Sequence, residues 1–217
     1  MSNEQYKGLL SRLTGRPGIV GHQELKHSCV LVPFLFEDGM AKILFEKRAF
    51  SIRQGGEISF PGGMVEQGEF ENTADTALRE TMEELNLDSS KIVIDGRFDS
   101  LITPAGYMVD IYIGRLLVPR VSDINPSPSE VESVFTIPVG ELISHEPEEY
   151  KIRVTAHAKD QEGNEIFPAK ELDVPDRYWS HWELERQPIY LYKTDYGPIW
   201  GITARIIREV LKNWPVS

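Results

Sequence analysis

The sequence has little cysteine: one, Cys29, in 217 residues, so no intrachain disulfide can form. A reducing, cytoplasmic setting is expected. Cys29 lies in the apolar run Cys29-Val30-Leu31-Val32 and is expected to be a small buried hydrophobe, not a nucleophile. Long apolar runs are also missing. None approaches the roughly 18 residues of a membrane span, and the polar stretch Met1 to Gly8 lacks the apolar core of a secretory signal. Positive charge is in deficit, with a formal net charge of -11. That excludes a nucleic-acid binder built on a basic footprint. It leaves room for a small anionic ligand held by a few local arginines and a metal ion. No Ser-His-Asp order, glycine-rich dinucleotide fingerprint or Walker loop occurs. His22, His27, His145, His157 and His181 are scattered without metal-ligand spacing. There is no internal repeat, low-complexity tract or linker.

What is present suffices for a sizeable core, since 41% of the residues are hydrophobic. Glu4 to Leu13 reads as a short helix with Tyr6, Leu9, Leu10 and Leu13 on one side. Ser28 to Phe36 and Ala41 to Ala49 read as strands around the turn Glu37-Asp38-Gly39. Gly55, Gly56, Pro61, Gly62, Gly63 and Gly68 mark the next stretch as mostly loop. A helix is expected over Thr73 to Leu85, then strands over Lys91 to Ile102, Tyr107 to Val118 and Val131 to Ile137. Val139 to Ser144 reads as a short helix after Pro138. Tyr150 to Ala158 and Glu165 to Phe167 read as a hairpin around Glu162-Gly163-Asn164, and Pro188 to Lys193 as a late strand. Trp200 to Asn213 has the spacing of an amphipathic closing helix. The pattern predicts an α+β layered fold, with residues 1–217 forming one domain flanked by a short N-terminal and a C-terminal helix.

The informative segment is the helix over Thr73 to Leu85. Leu78, Thr81, Met82 and Leu85 share a face and are expected to meet the core. Glu80, Glu83 and Glu84, at i+3 and i+4 spacing, converge on another. Like charges at those spacings each cost roughly 0.2–0.5 kcal/mol, and the last turn of a helix disfavours anions. An ordinary solvated face mixes its signs, whereas three carboxylates gathered against local electrostatics suit a hard divalent cation. Asn86 fits the left-handed position that ends the helix. The glycines upstream could bring a backbone carbonyl beside the same cation.

These residues resemble the Nudix box, Gly-x5-Glu-x7-Arg-Glu-U-x-Glu-Glu-x-Gly-U, where U is apolar. Gly63 and Glu69 match its start, and Arg79, Glu80, Glu83, Glu84 and Leu87 its helical half. Nine residues separate Glu69 from Arg79 instead of seven; counting back from Arg79 gives Glu71, followed by Asn72 as an N-cap. Either Glu69 or Glu71 can therefore be the supporting partner of Arg79. Thr81 stands where the box has an apolar residue and Asn86 where it has glycine. The resemblance implies a mixed β-sheet sandwiched between α-helices. It further implies Mg2+, with Mn2+ as a substitute, held by a Gly62 or Gly63 carbonyl, Glu80, Glu83 and Glu84. A glutamate of the box, or one from a nearby loop, would act as general base; Arg79, Glu80, Glu83 and Glu84 are the candidate catalytic residues.

The stretch from Leu44 to Gly63 is similar to the signature of the coenzyme A diphosphatase branch, Leu-Leu-Thr-x-Arg-(Ser/Ala)-x3-Arg-x3-Gly-x3-Phe-Pro-Gly-Gly. Arg48-Ala49, Arg53, Gly56 and Phe60 to Gly63 match. One residue is missing between Arg53 and Gly56, and Phe45-Glu46 replaces Leu-Thr. Arginine forks suit phosphate oxygens, so Arg48 and Arg53 are the candidate substrate-binding residues. The resemblance implies hydrolysis of coenzyme A or acyl-coenzyme A to adenosine 3′,5′-bisphosphate and a 4′-phosphopantetheine product. Its other readings are an ADP-ribose or dinucleotide diphosphatase and a non-catalytic nucleotide-binding Nudix-like module. The expected partner is a small nucleotide, with no nucleic acid and no membrane; a homodimer stays open.

Overall fold

A computed structural model describes residues 19–66, 72–184 and 186–215. The expected helix over Glu4 to Leu13, and both Glu69 and Glu71, lie outside the described residues.

The central sheet is mixed. Strand β1 (Lys26–Glu37) runs antiparallel to β2 (Met40–Arg48). Asp38 and Gly39 turn the chain with φ of 52° and 77°, the pair of positive values that a tight hairpin turn demands and that an Asp-Gly dipeptide supplies. On its other side β1 pairs in parallel with β6 (Tyr107–Leu116), and β6 pairs antiparallel with β5 (Ile92–Ile102). Two short strands, β3 (Ile58–Ser59) and β4 (Gly62–Met64), lie within the glycine-rich stretch that reads as loop, pairing with β2 and β1 respectively. They are too short for an alternation signal. Strand β7 (Val131–Pro138) pairs antiparallel with β2 from Lys42 to Arg48.

Period-two alternation sends β1 and β2 side chains to two cores. Leu31, Leu35 and Leu44 pack on one face with Ala77 and Leu85 of helix α1 (Thr73–Leu85). Val32, Phe34, Ile43 and Phe45 pack on the other with Ile206, Ile207 and Val210 of the closing helix, α3 (Gly201–Lys212). The sheet is thus sandwiched between helices, as expected. The short helix α2 (Val139–Ser144) follows β7.

Helix α1 departs from the expected face in part. Thr81 and Leu85 are buried, but Leu78 and Met82 only lean on the core, and Glu84 is buried with Thr76 and Ala77. The Thr81 hydroxyl donates to the Ala77 carbonyl at 2.7 Å, which lets a polar residue occupy an apolar box position. Asn86 ends the helix at φ 51°, ψ 47°. Asn72 precedes it without a side-chain capping hydrogen bond.

The expected hairpin between Tyr150 to Ala158 and Glu165 to Phe167 is overturned. Strand β8 (Glu148–Ile152) pairs with β11 (Gln187–Thr194), itself continued by β12 (Gly197–Trp200). Strand β9 (Thr155–His157) pairs with β10 (His181–Glu183), leaving one bridge, Lys159 to Glu165. The Asp160 carboxylate accepts the Glu162 and Asn164 amides at 3.0 and 2.8 Å. The loop therefore closes through this side chain and a few backbone bonds, among them Asp160 N–H to the Asn164 carbonyl and Ile166 N–H to the Ala158 carbonyl, without a continuous strand ladder. Among the described residues no helix is long and apolar enough to cross a membrane.

One buried acid ties the front of α1 to the sheet. Asp110 of β6 is fully buried. It accepts from Thr73 Oγ1 at 2.8 Å and Ser100 Oγ at 2.6 Å, pairs with Arg97, and lies 3.0 Å from His27 Nε2. Burial by itself would raise its carboxyl pKa. The hydrogen bonds from Ser100 and Thr73, with the charge of Arg97, outweigh that and hold it below the usual range. A carboxylate depressed in this way stabilises the fold above its unfolded pKa of about 3.9 and loses that contribution as pH falls through the folded value. Replacing Asp110 by Asn leaves buried donors facing an amide, at about 1–3 kcal/mol for each donor left unsatisfied. Denaturant melts of Asp110→Asn are expected to show a wide stability gap from the parent near pH 7 that narrows toward about pH 3. A gap of equal width at both pH values would refute the assignment.

Candidate active site

The two glycines of β4 lie directly under helix α1. A Cβ on Gly62 would collide with the Cys29 carbonyl, and one on Gly63 would land on the Glu80 carboxylate. Glycine at both positions lets this backbone touch strand and helix together. The Gly62 N–H donates to Glu84 Oε2 at 2.9 Å. The segment is a strand, not the expected turn, and what Gly62 offers the helix here is its amide.

The three box glutamates divide. Glu84 is 4% exposed and Glu80 is half-buried beside Gly63, whereas the Glu83 side chain is 56% exposed. The three remain neighbours, since Glu80 and Glu83 share Arg79 Nη1 and Glu80 acts on Glu84, but they differ in burial. An i+3, i+4 set spans a wide arc of the helix, and the sheet covers one side of it. Arg79 Nη1 lies 2.9 Å from Glu80 Oε1 and 3.5 Å from Glu83 Oε2. Arginine therefore offsets like-charge repulsion on the outer part of the face.

Beneath Glu84 sits a carboxylate that sequence reasoning missed. Glu46, two residues beyond Leu44 on the α1 face of β2, is fully buried. Its Oε1 accepts from Ser59 Oγ at 2.9 Å, and its Oε2 has no hydrogen-bond partner. Arg48 Nη1 lies 3.7 Å from Glu46 Oε1 and 3.8 Å from Glu84 Oε1, and Arg48 Nε donates to the Arg53 carbonyl at 3.4 Å. Arg48 therefore joins the carboxylates, while the exposed Arg53 side chain hydrogen-bonds Tyr107. One signal for Glu46 was visible in the sequence, the departure from Leu-Thr; as the first of the charges Glu46-Lys47-Arg48 that end an apolar run, it otherwise reads as a solvated strand end.

The electrostatics follow from crowding. Burial, then the neighbouring Glu46 charge, pushes Glu84 up to about 9 against the Gly62 amide and Arg48. Burial raises Glu46 to about 7, opposed by Ser59 and Arg48. Burial raises Glu80 as well, against the pull of Arg79. Glu130, in the loop before β7, adds repulsion at both Glu46 and Glu80. Without a cation this crowding favours the protonated form of Glu84, since the two neighbouring arginines only partly offset the carboxylates taken together. Among the described residues no three His, Cys, Asp or Glu side chains stand in ready-made ligand geometry. A cavity of about 350 Å³ lined by Phe34, Phe98, Val210 and Trp214 lies on the opposite, α3 side of the sheet.

Residues 25–181 match the family described as the NUDIX domain. An uncharacterized Nudix hydrolase NudL of Photorhabdus laumondii is 28% identical over 188 residues, covering 87% of this chain and 84% of that protein. Nudix hydrolase 3 of Caenorhabditis elegans is 38% identical over 117 residues, or 52% of this chain and 48% of that protein. Among solved structures, a C. elegans Ap4A hydrolase binary complex has a TM-score of 0.44 at 23% identity, over 54% of this chain and 83% of that one. The family match spans most of the chain, and the chain therefore belongs to the Nudix family of hydrolases.

Proposed function

We propose that this chain is a divalent-metal-dependent diphosphatase whose substrate is coenzyme A or an acyl derivative. The observation that carries the reading is the meeting of Glu84 and Glu80 with the Gly62-Gly63 strand, beside Arg48.

The donor set suits a hard cation. Every group is an oxygen donor, Glu80 lies in the space that the missing Cβ of Gly63 leaves open, and Glu46 Oε2 is a buried carboxylate oxygen without a partner. Glu80, Glu83 and Glu84, with a carbonyl of Gly62 or Gly63, would hold Mg2+, or Mn2+ in its place. When bound, the cation offsets the charge of the diphosphate and lowers the pKa of water. The protein supplies the rest. Arg79 holds Glu80 in place through its 2.9 Å contact. Arg48 and Arg53 bracket the loop that leads into β4 and bind substrate phosphates, since a guanidinium fork matches phosphate oxygens. A box glutamate, or one from a nearby loop, takes the proton of the attacking water. Coenzyme A is favoured because its diphosphate and 3′-phosphate give both arginines a partner, and because the stretch from Arg48 to Gly63 is similar to that branch's signature.

Incubation with magnesium and a panel of diphosphates, read by mass, tests the substrate. Coenzyme A should yield adenosine 3′,5′-bisphosphate and a 4′-phosphopantetheine product, and ADP-ribose should react more slowly. Faster cleavage of ADP-ribose or a dinucleotide would replace coenzyme A as the substrate, and binding without cleavage would make the chain a recognition module.

Arg48→Ala should reduce kcat/KM by roughly 10- to 150-fold, the equivalent of one charge-assisted hydrogen bond at about 1.5–3 kcal/mol. An arginine that serves only as counterion to Glu46 and Glu84 predicts instead a change in melting temperature with parental kcat/KM.

Glu84→Gln keeps shape and resembles the protonated carboxyl that burial favours without a cation, so in chelator it should melt no lower than the parent. It should gain less from magnesium, because a ligand stabilises only through its affinity for the folded state, and lose most of its turnover. Full activity together with the full magnesium shift would remove Glu84 from the ligand set.

A further inference from the structure

We infer that Glu46 is an additional carboxylate donor to the cation site, reaching it from the sheet and not from the box helix. The inference rests on the preceding reading of Glu80 and Glu84 as cation ligands.

Strand geometry places it. Alternation along β2 sends Ile43 and Phe45 toward α3, and Leu44 and Glu46 toward α1. An apolar side chain would suit this fully enclosed position, where a lone ionised carboxylate is costly. Two oxygens make the case. Oε1 is oriented by the Ser59 hydroxyl at 2.9 Å. Oε2 has no partner within the protein, although the residue is 0% exposed. Buried carboxylate oxygens are otherwise hydrogen-bonded or bound to metal.

Arg48 does not meet that need. Its Nη1 stands 3.7 Å from Glu46 Oε1 and 3.8 Å from Glu84 Oε1, beyond hydrogen-bond length at both. The same distances put the two carboxylates on one guanidinium nitrogen, so Glu46 and Glu84 address a common space. One positive charge there faces Glu46 and Glu84, with Glu80 and Glu130 close enough to add repulsion. A proton or a bridging water can meet Oε2 in the metal-free protein; a divalent cation takes the place of either and joins the two carboxylates at one point. The departure from Leu-Thr in the diphosphatase signature falls on this residue.

The test is Mn2+ binding to the full chain, read from the electron paramagnetic resonance of free Mn2+, for the parent, Glu46→Gln, Glu46→Asp, Glu80→Gln and Glu84→Gln. Glu46→Gln preserves shape and the bond from Ser59. It should raise the Mn2+ Kd by at least about tenfold, the lower end of what lost outer-shell support costs, or lose one bound equivalent. Its melting temperature in chelator should be no lower than the parent's. Should Glu46→Gln fail to fold, Glu46→Asp keeps the charge, withdraws the oxygens by one methylene and should show the same weakening. Parental Kd and stoichiometry in a folded Glu46 variant, with Glu80→Gln and Glu84→Gln weakened, would overturn this inference alone. Parental binding in all four would overturn the cation site itself. A role confined to orienting Arg48 predicts parental Mn2+ binding, and so counts against the inference.

Discussion

The Gly62 amide and the Glu84 carboxylate meet at 2.9 Å inside the protein, and most of the site follows from that contact. A helix carrying buried acids would ordinarily be pushed away from a sheet by the cost of desolvating them. Here a backbone N–H supplies part of the lost solvation. It can do so because two consecutive glycines let the strand approach within reach. Any side chain at Gly63 would occupy the place of the Glu80 carboxylate. Helix position, glycine identity and carboxylate placement are therefore one constraint.

Helix α1 is held at both ends by carboxylates, in opposite electrostatic conditions. At its start, Asp110 is surrounded by hydroxyls and a guanidinium and is settled as an anion. At its end, Glu84 and Glu46 are buried with one amide, one hydroxyl and a distant arginine between them, and both are pushed upward. The first arrangement fixes the helix on β6. The second leaves two carboxyls at the glycine strand that resist being ionised together, which stability alone would not favour and a cation would relieve. Rigidity at one end thus supports electrostatic tension at the other.

The two arginine groups act on different parts of the charge. Arg79 neutralises the outer helix face, where Glu83 is open to water. Arg48 reaches the buried acids from the end of β2. The net charge of -11 is therefore compatible with an anionic ligand, because Arg48 and Arg79 are gathered at the glycine strand and the acidic helix instead of being spread over the surface.

Much of this was determined by sequence alone, where the governing rule is local. The Asp38-Gly39 turn, the span of α1 and its Asn86 stop follow from periodicity and φ preference. The spacing of Gly63, Arg79, Glu80, Glu83 and Glu84 was enough to point to the family. What only the tertiary structure decided concerns partners distant in sequence. Strand pairing separated β8 from β9 and overturned the hairpin, because alternation says which residues share a face but not which strand will meet them. The split between buried Glu84 and exposed Glu83 depends on where the sheet covers the helix. Glu46 became part of the site only because β2 passes beneath α1, bringing together two carboxylates 38 residues apart in the chain, a juxtaposition that no spacing rule along the sequence encodes.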